Sequence, residues 1–356
     1  MITNNDDTLE LCTIYGTLTL SGIHAIIINK ILSWDTFANL RYISQNGPAN
    51  HYPVHGTIPR TSRYEHSIGC FCLTMLLYKR SPYIEECADD FAKTHGTPFR
   101  YACAALLHDV MHTAFSHTVD FMWKRKQNVS YHDQIKKAFL ERHAIFLESI
   151  FGPCWQQIFD DNINKIIKKN NPCAIDSLDY TIRDSIAYNL IRFEEIKPHL
   201  DLLSVISDSI CCESVDEQKW WENISKRLTD EIYLSPCNAG ANVALATALE
   251  NIILAHRGTE NELMIPNNDT EQKYFEMCKN DFINMYEPAA KWHFKPHIAT
   301  SDTTPSVTNS KNYVIHLRPR YISPPLSSDP HKDTYTLPTS IIVNDLMHDT
   351  HSIYNN

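Results

Sequence analysis

Two short segments contain most of the side chains that could perform chemistry. One is RYEH, ending at His66, and the other is LLHDVMHTAFSH, which contains His108 and Asp109. An adjacent His-Asp pair in an apolar stretch is costly to bury unless a partner compensates its charge, and a bound cation is a common partner. A third segment, IDSLDY, adds Asp176 in a helical context. Together they offer two imidazoles and two carboxylates, a ligand set that suits a divalent transition metal.

The pattern H…HD…D also indicates which chemistry such an ion could support. Two neutral histidines and two aspartates would neutralise a divalent charge, and a set without thiolate suits Mn²⁺, Fe²⁺, Ni²⁺ or Zn²⁺, with Mg²⁺ as a further candidate. A bound ion would lower the pKa of its water from about 15.7 towards ~7 and polarise a phosphorus–oxygen bond. Taken alone, His108-Asp109 could instead be a hydrogen-bonded pair inside a helix.

Four segments in this order resemble the HD-domain metal-dependent phosphohydrolases. They are LRYISQ (40–45), RYEHSIG (63–69), LLHDVMHTAFSH (106–117) and DSLDYTIRD (176–184). Within the class they are most similar to the deoxynucleoside triphosphate triphosphohydrolases, including the vertebrate form fused to a sterile alpha motif. The resemblance covers residues from about 14 to 189, roughly half of the chain. It implies an HD-domain helical core whose metal ligands are His66, His108, Asp109 and Asp176.

The resemblance also implies a catalytic group of four residues beside the scissile phosphate: His117, His112, Asp120 and His132. A histidine with a pKa near ~6.5 can protonate a leaving oxygen, and His117 closes the Phe-Ser-His part of the motif. Asp120 follows it by three residues and could orient its imidazole. We expect His112 to contact phosphate rather than to bind the metal. His132 aligns only across a gap, so an ordinary surface position is equally open for it.

Substrate contacts are implied for Arg63, Gln45, Tyr180 and Asp184. Arg63 would hold a phosphate oxygen, which suits a planar and permanently charged guanidinium. Gln45 would contact the sugar 3′-hydroxyl, and Tyr180 and Asp184 the sugar and base. Arg183, four residues after Asp179, is expected to form a structural ion pair and to brace the helix.

Two departures from the family pattern concern the triphosphate. The family usually has Lys directly after its last metal-binding Asp, whereas this chain has Ser177. The family's downstream Tyr-x-x-Arg-x-x-x-His region corresponds to YLSPCNAG (233–240), which has neither Arg nor His. The sequence therefore supports metal chemistry better than recognition of a triphosphate.

The bulk properties favour a mainly α protein. Only 9 of 356 residues are Gly, which favours long helices, and no glycine-rich phosphate loop is present. Alternating residues from Thr13 to Gly22 predict a hairpin, and helical spacing follows from Ile23 to about Ile196. We predict an HD core at 1–200, a helical extension at 201–298, and a Ser/Thr/Pro-rich segment at 299–356 with a small sheet, in which 313–322 is strand-like.

Charge and cysteine content limit the partners. A formal net charge of −10 disfavours broad adhesion to nucleic acid or to an anionic membrane. The 11 cysteines include no C-x-x-C pair, and the polar N-terminus shows no signal peptide, so we expect a soluble cytoplasmic or otherwise intracellular protein. The expected partner is a nucleotide or another phosphoester, with homo-oligomerisation left open.

The function predicted from these features is metal-dependent hydrolysis of a nucleotide, with cleavage of deoxynucleoside triphosphates to deoxynucleoside and triphosphate as the preferred activity. One alternative is a nucleotidase or phosphodiesterase that acts on another nucleotide. Another is a nucleotide-sensing HD protein with weak hydrolysis. The missing Lys and Arg favour these alternatives, while the complete ligand set disfavours a protein that only binds.

Overall fold

The structure is a computed structural model, and it describes residues 2–5, 8–82, 86–87, 89–120, 122, 131–167, 173–256, 258–264, 266–290, 297–299, 321–328 and 340–342. The helices are α1 Gly22–Leu32, α2 Asp35–Ala38, α3 Arg63–Lys79, α4 Asp90–His95, α5 Thr97–Leu107, α6 Tyr131–Phe151, α7 Ile175–Ala187, α8 Phe193–Leu200, α9 Val215–Leu228, α10 Pro236–Ala255, α11 Thr259–Met264 and α12 Thr270–Ala290. The strands are β1 Ile2–Asn5, β2 Thr8–Thr13, β3 Gly16–Ser21, β4 Leu203–Ile206, β5 Ser209–Cys212, β6 His297–Ala299 and β7 Ser340–Ile342. The predicted mainly helical class is therefore confirmed.

The strands form three small antiparallel sheets, with the orders β1-β2-β3, β4-β5 and β6-β7. The hairpin predicted from alternation is β2-β3, and it begins earlier in the chain than expected, because β2 starts at Thr8. Its two-residue turn, Ile14-Tyr15, lies between the paired residues Thr13 and Gly16. Gly16 has φ +105°, a conformation that glycine adopts without strain.

Two hydrophobic clusters make up most of the interior. The larger one joins the N-terminal hairpin, α1, α3, α5 and α7 to β4, β5 and α9, with Phe71 and Trp221 fully buried in it. The second is formed by α10, α11 and α12, and it also contains Ala114 and Phe115. The segment after His108 therefore passes from one cluster to the other. This places His112 and His117, two of the predicted catalytic histidines, on the segment that connects the helical core to the C-terminal helices.

The C-terminal part contains two described pieces. Residues 321–328 run along α9 and β5, where Ile322 is fully buried and the backbone of Cys212 bonds to Pro325 and Ser327. The predicted strand at 313–322 lies largely outside the described residues, and Tyr321 and Ile322 themselves are not in a strand. A small sheet is nevertheless present, between β6 and β7. The domain boundaries at 200 and 298 stay predictions. Among the described helices, none combines the length and apolarity needed to cross a bilayer.

Candidate metal centre

Three helix ends bring the predicted ligands together. Helix α3 starts with a capping box between Ser62 and Glu65, and His66 follows directly in its first turns. Helix α5 ends at Leu107, so His108 is its C-cap residue. Asp176 lies in the first turn of α7. The N-termini of two helices and the C-terminus of a third therefore meet at one point.

The four predicted ligands converge at distances that fit one ion. His66 Nε2 lies 3.2 Å from Asp176 Oδ1 and 3.6 Å from Asp109 Oδ2. His108 Nε2 lies 3.4 Å from Asp109 Oδ1 and 3.6 Å from Asp176 Oδ1. Two ligand atoms that are each about 2.1 Å from a metal, at a near-tetrahedral angle, are separated by about 3.4 Å. The spacing of these nitrogens and oxygens matches that geometry.

The hydrogen bonding of His108 leaves one nitrogen for a metal. Its Nδ1 donates to the carbonyl of Ala105 at 2.6 Å, which makes Nε2 the unprotonated nitrogen. That Nε2 is buried and makes no hydrogen bond within the described part of the chain. A buried imidazole lone pair facing two carboxylates is costly unless a cation binds there. The residues present therefore fit a divalent metal.

Both ligand carboxylates favour their charged form. Burial raises the pKa of Asp109, but His108, Arg63 and His112 outweigh it and bring that pKa well below its usual value. Burial likewise acts against Asp176, but the neighbouring His108 and His66 imidazoles outweigh it and lower its pKa well below normal. The resulting negative potential stabilises a cation between the two imidazoles.

Behind the ligands, Asp179 holds His66 in place. Its Oδ2 accepts a hydrogen bond from His66 Nδ1 at 2.7 Å, so His66 presents Nε2 to the other ligands. The predicted ion pair of Asp179 with Arg183 is present at 3.1 Å. Burial raises the pKa of Asp179, but Arg183 and His66 lower it to about 2. Such a carboxylate behind a ligating histidine fixes the imidazole tautomer.

The absence of a side chain at Gly69 makes room for the contact of Asp179 with His66. A Cβ at this position would lie 2.2 Å from both Asp179 Oδ1 and Arg183 Nη2. The glycine in RYEHSIG therefore allows α3 and α7 to approach until Asp179 reaches His66. The sequence singled out neither Gly69 nor the contact of Asp179 with His66. The available signal was a glycine within a helical pattern, where it lowers stability unless close packing requires it.

Cys70 is an additional candidate ligand. His66, Cys70 and His108 each offer a ligand atom within 4.8 Å of the others, and Cys70 Sγ lies 3.8 Å from His66 Nε2. The sequence predicted a set without thiolate. Burial raises the pKa of Cys70 to about 12, so the thiol is protonated at neutral pH, whereas Asp109 and Asp176 are already charged. The carboxylates are therefore the better ligands for a hard divalent ion.

The predicted catalytic residues lie beside the ligand carboxylates. His112 Nε2 is 3.1 Å from Asp109 Oδ1, and the rings of His112 and His117 are 5.3 Å apart in an edge-on arrangement. His117 Nδ1 lies 3.5 Å from Asp120 Oδ2, as the spacing predicted, and His117 is the more exposed of the two histidines. Position 132 is in α6, but its side chain lies outside the described residues.

Arg63 is buried and bound to the protein. Its Nη1 donates to Asp109 Oδ2 at 2.6 Å and its Nε to Ser116 Oγ at 2.8 Å. The remaining nitrogen, Nη2, has no partner within the described residues. Arg63 therefore orients the Asp109 carboxylate, and its Nη2 is the donor that these contacts leave over.

The other predicted substrate residues, here called the substrate side, are Gln45 and, on the helix that carries Asp176, Tyr180 and Asp184. Gln45 is buried, and its Oε1 has no partner among the described residues. Asp184 accepts hydrogen bonds from Asn46 Nδ2 at 3.0 Å and from the hydroxyl of Tyr233 at 2.6 Å. The rings of Tyr180 and Tyr233 are 6.1 Å apart, nearly perpendicular. Tyr233 thus occupies a carboxylate that the resemblance assigned to substrate.

Glu271, which the sequence did not indicate, anchors the segment after His112. This buried residue of α12 accepts from the backbone N–H of Ser44 at 3.0 Å, from that of Phe115, and from His51 Nε2 at 2.9 Å. Phe115 and Ser116 both have positive φ, at 55° and 50°, which is strained for residues with a Cβ. The C-terminal helix thereby stabilises the strained turn that precedes His117.

Comparisons with known proteins find relatives with a metal-dependent phosphohydrolase and an HD domain-containing protein among them. A relative named as an uncharacterized protein of Bacillus subtilis is 30% identical over 200 residues, covering 53% of each chain. A metal-dependent phosphohydrolase of Cordyceps militaris is 26% identical, covering 54% of this chain and 49% of its own. An HD domain-containing protein of Acanthamoeba polyphaga mimivirus is 27% identical, covering 50% and 43%. The chain spans about half the length of these curated relatives. No protein-family model matches it.

Solved structures give the fold. A phosphohydrolase from Bacteroides thetaiotaomicron superposes with a TM-score of 0.52 and 19% identity, over 82% of this chain and 71% of that one. A protein from Aquifex aeolicus superposes with a TM-score of 0.53 and 16% identity, over 85% and 79%. At such identities the likeness concerns the fold alone. The printed names of two relatives match the resemblance to HD-domain phosphohydrolases, while none of these names mentions a deoxynucleoside triphosphate or a sterile alpha motif.

Proposed function

We propose that this protein is a metal-dependent phosphohydrolase that cleaves a nucleotide phosphoester. The observation that carries the proposal is the convergence of His66, His108, Asp109 and Asp176, with the buried Nε2 of His108 facing the carboxylates. When bound there, a divalent ion would supply an activated water and polarise the phosphorus–oxygen bond. The name of the Cordyceps militaris relative supports the same chemistry.

The protein groups have separate tasks in this proposal. Arg63 Nη2 would donate to a phosphate oxygen while its other nitrogens hold Asp109 and Ser116. His117 would donate a proton to the leaving oxygen, because it lies next to His112 at the more exposed edge of the ligand cluster. Asp120, at 3.5 Å, would orient the His117 imidazole.

Within this chemistry, the preferred activity is hydrolysis of deoxynucleoside triphosphates to deoxynucleoside and triphosphate, as the four motifs imply. A specific observation favours a second candidate, a nucleotidase or phosphodiesterase acting on a nucleotide with fewer phosphates. Arg63 is already paired with Asp109, Asp184 is bound by Asn46 and Tyr233, and Ser177 replaces the family's Lys. The Arg63 pair and the loss of Lys reduce the cations free to hold a triphosphate, and the contacts of Asp184 occupy a carboxylate expected to bind the sugar and base.

Elemental analysis combined with a substrate panel tests the proposal. We expect the purified protein to hold a divalent metal, and Asp109→Ala to lose it with most of the helix content retained. Phosphate and triphosphate release would be measured with dNTPs, NTPs, nucleoside monophosphates and cyclic nucleotides. Stoichiometric metal in Asp109→Ala would refute the ligand set, and no hydrolysis of any phosphoester by metal-loaded protein would refute the activity.

A further inference from the structure

The turn of the N-terminal hairpin contacts Asp179, the residue that orients His66. Tyr15 lies in the turn between β2 and β3, and its hydroxyl donates to Asp179 Oδ1 at 2.6 Å. The turn itself is fixed, because the N–H of Tyr15 donates to Thr13 Oγ1 at 3.2 Å. A residue 164 positions away in sequence thereby contacts the carboxylate that holds His66.

The hydrogen bonds of Asp179 show what the contact does. Its Oδ2 accepts from His66 Nδ1 and from Arg183 Nε, and its Oδ1 accepts from Tyr15 and from Arg183 Nη2. Asp179 is fully buried, and all of these donors belong to the protein. Burial and the Asp179 charge raise the pKa of Tyr15, which keeps the phenol protonated as the donor. With four donors on two oxygens, the carboxylate has one orientation.

We infer that Tyr15 is a positioning residue for the metal centre: its hydroxyl fixes Asp179, which in turn holds His66 with Nε2 towards Asp176 and Asp109. The inference rests on the proposed function, since it assigns a role within that same site. It makes the N-terminal hairpin part of the functional unit. Removing a group that hydrogen-bonds to a metal-binding histidine lowers metal affinity by about ten- to a hundredfold. Tyr15 does not bond to His66 itself but to Asp179, which does. We therefore expect a loss of about tenfold for its hydroxyl.

The test compares two Tyr→Phe variants of the whole protein. Tyr15→Phe removes the hydroxyl bound to Asp179. Tyr78→Phe is the control, because Tyr78 is a buried tyrosine on α3 whose hydroxyl has no partner among the described residues, whereas Tyr15 is partly buried and its hydroxyl is bound. Co²⁺ is the probe: its affinity is measured by competition with a chelator, and its visible absorption spectrum reports the geometry of its ligands. Thermal melting of the metal-free proteins is recorded in parallel.

We expect Tyr15→Phe to bind Co²⁺ about tenfold more weakly, with an altered spectrum, and Tyr78→Phe to match the wild type. Equal affinity and an identical spectrum in Tyr15→Phe would overturn the inference. An equal loss in both variants would also overturn it, since it would indicate a general effect on packing. A wild-type protein that binds no Co²⁺, Mn²⁺ or Zn²⁺ would instead refute the proposed metal centre, before any variant is compared.

Discussion

The two sides of the centre differ in what their polar groups contact. On the metal side, His66, His108, Asp109 and Asp176 face one another, and their outward groups are held by Asp179 and Ala105. On the substrate side, Asp184 is bound by Asn46 and by Tyr233. On the metal side the proposed ligand atoms thus turn towards one point, whereas on the substrate side the protein's own side chains bind part of the predicted contact groups. The proposed metal ligands therefore follow the pattern of the resemblance, whereas the predicted substrate residues have partners in this chain that the pattern did not indicate.

The largest effect is expected at His117, the proposed general acid. His117→Ala should lower turnover by about 10²-fold or more, because a general acid is lost, while the metal content stays unchanged. Steady-state kinetics with elemental analysis of the same sample would check this. Turnover near the wild-type rate would show that His117 is a packing residue and not the general acid.

A smaller effect is expected at the C-terminal anchor of the catalytic segment. Glu271→Gln replaces one accepting oxygen with a donor that faces N–H groups, so the free energy of unfolding should fall by about 1.5–3 kcal/mol. Glu276→Gln is the control on the same helix, since its contact with Lys279 is exposed and worth at most about 1 kcal/mol. Denaturant unfolding of both variants measures the difference, and equal stabilities would show that Glu271 does not anchor the segment.

The packing behind the metal side can be tested at Gly69. Alanine normally stabilises a helix relative to glycine by about 1 kcal/mol. Here its Cβ would displace Asp179 and Arg183, so Gly69→Ala should weaken Co²⁺ binding by about tenfold or somewhat more. Chelator competition provides the measurement. Unchanged affinity together with a higher melting temperature would mean that Asp179 can move without disturbing His66.

The smallest effect concerns the substrate side. Ser177→Lys should improve hydrolysis of dNTPs over monophosphates by about tenfold, since a charge-assisted contact to phosphate is worth about 1.5–3 kcal/mol and an introduced side chain would realise only part of it. The ratio of kcat/KM for the two substrates is the measurement, and Ser177→Met controls for side-chain length. If the wild type already has a low micromolar KM for dNTPs and gains nothing from Lys, other cations have replaced the missing one.

The fold class and the ligand types could be predicted because both depend on local patterns. Scarce glycine and helical spacing favour helices wherever they occur, and the H…HD…D order names nitrogen and oxygen ligands without any knowledge of packing. The hairpin was predicted from alternation, although its first strand begins at Thr8. The ion pair of Asp179 with Arg183 followed from their spacing on one helix.

The supporting contacts could not be predicted, because they join residues that are far apart in sequence. Tyr15 and Asp179 are 164 positions apart, and Phe115 and Glu271 are 156 apart. No sequence periodicity relates such pairs. Each residue taken alone could equally be a strand or helix residue with no role in the site. By itself, the sequence determined which side chains could bind a metal, since ligand chemistry depends on residue type. Only the tertiary structure decided which imidazole nitrogen faces the proposed metal position and which buried polar groups are bound by the protein, because most buried donors and acceptors find a partner and only the packing determines which do.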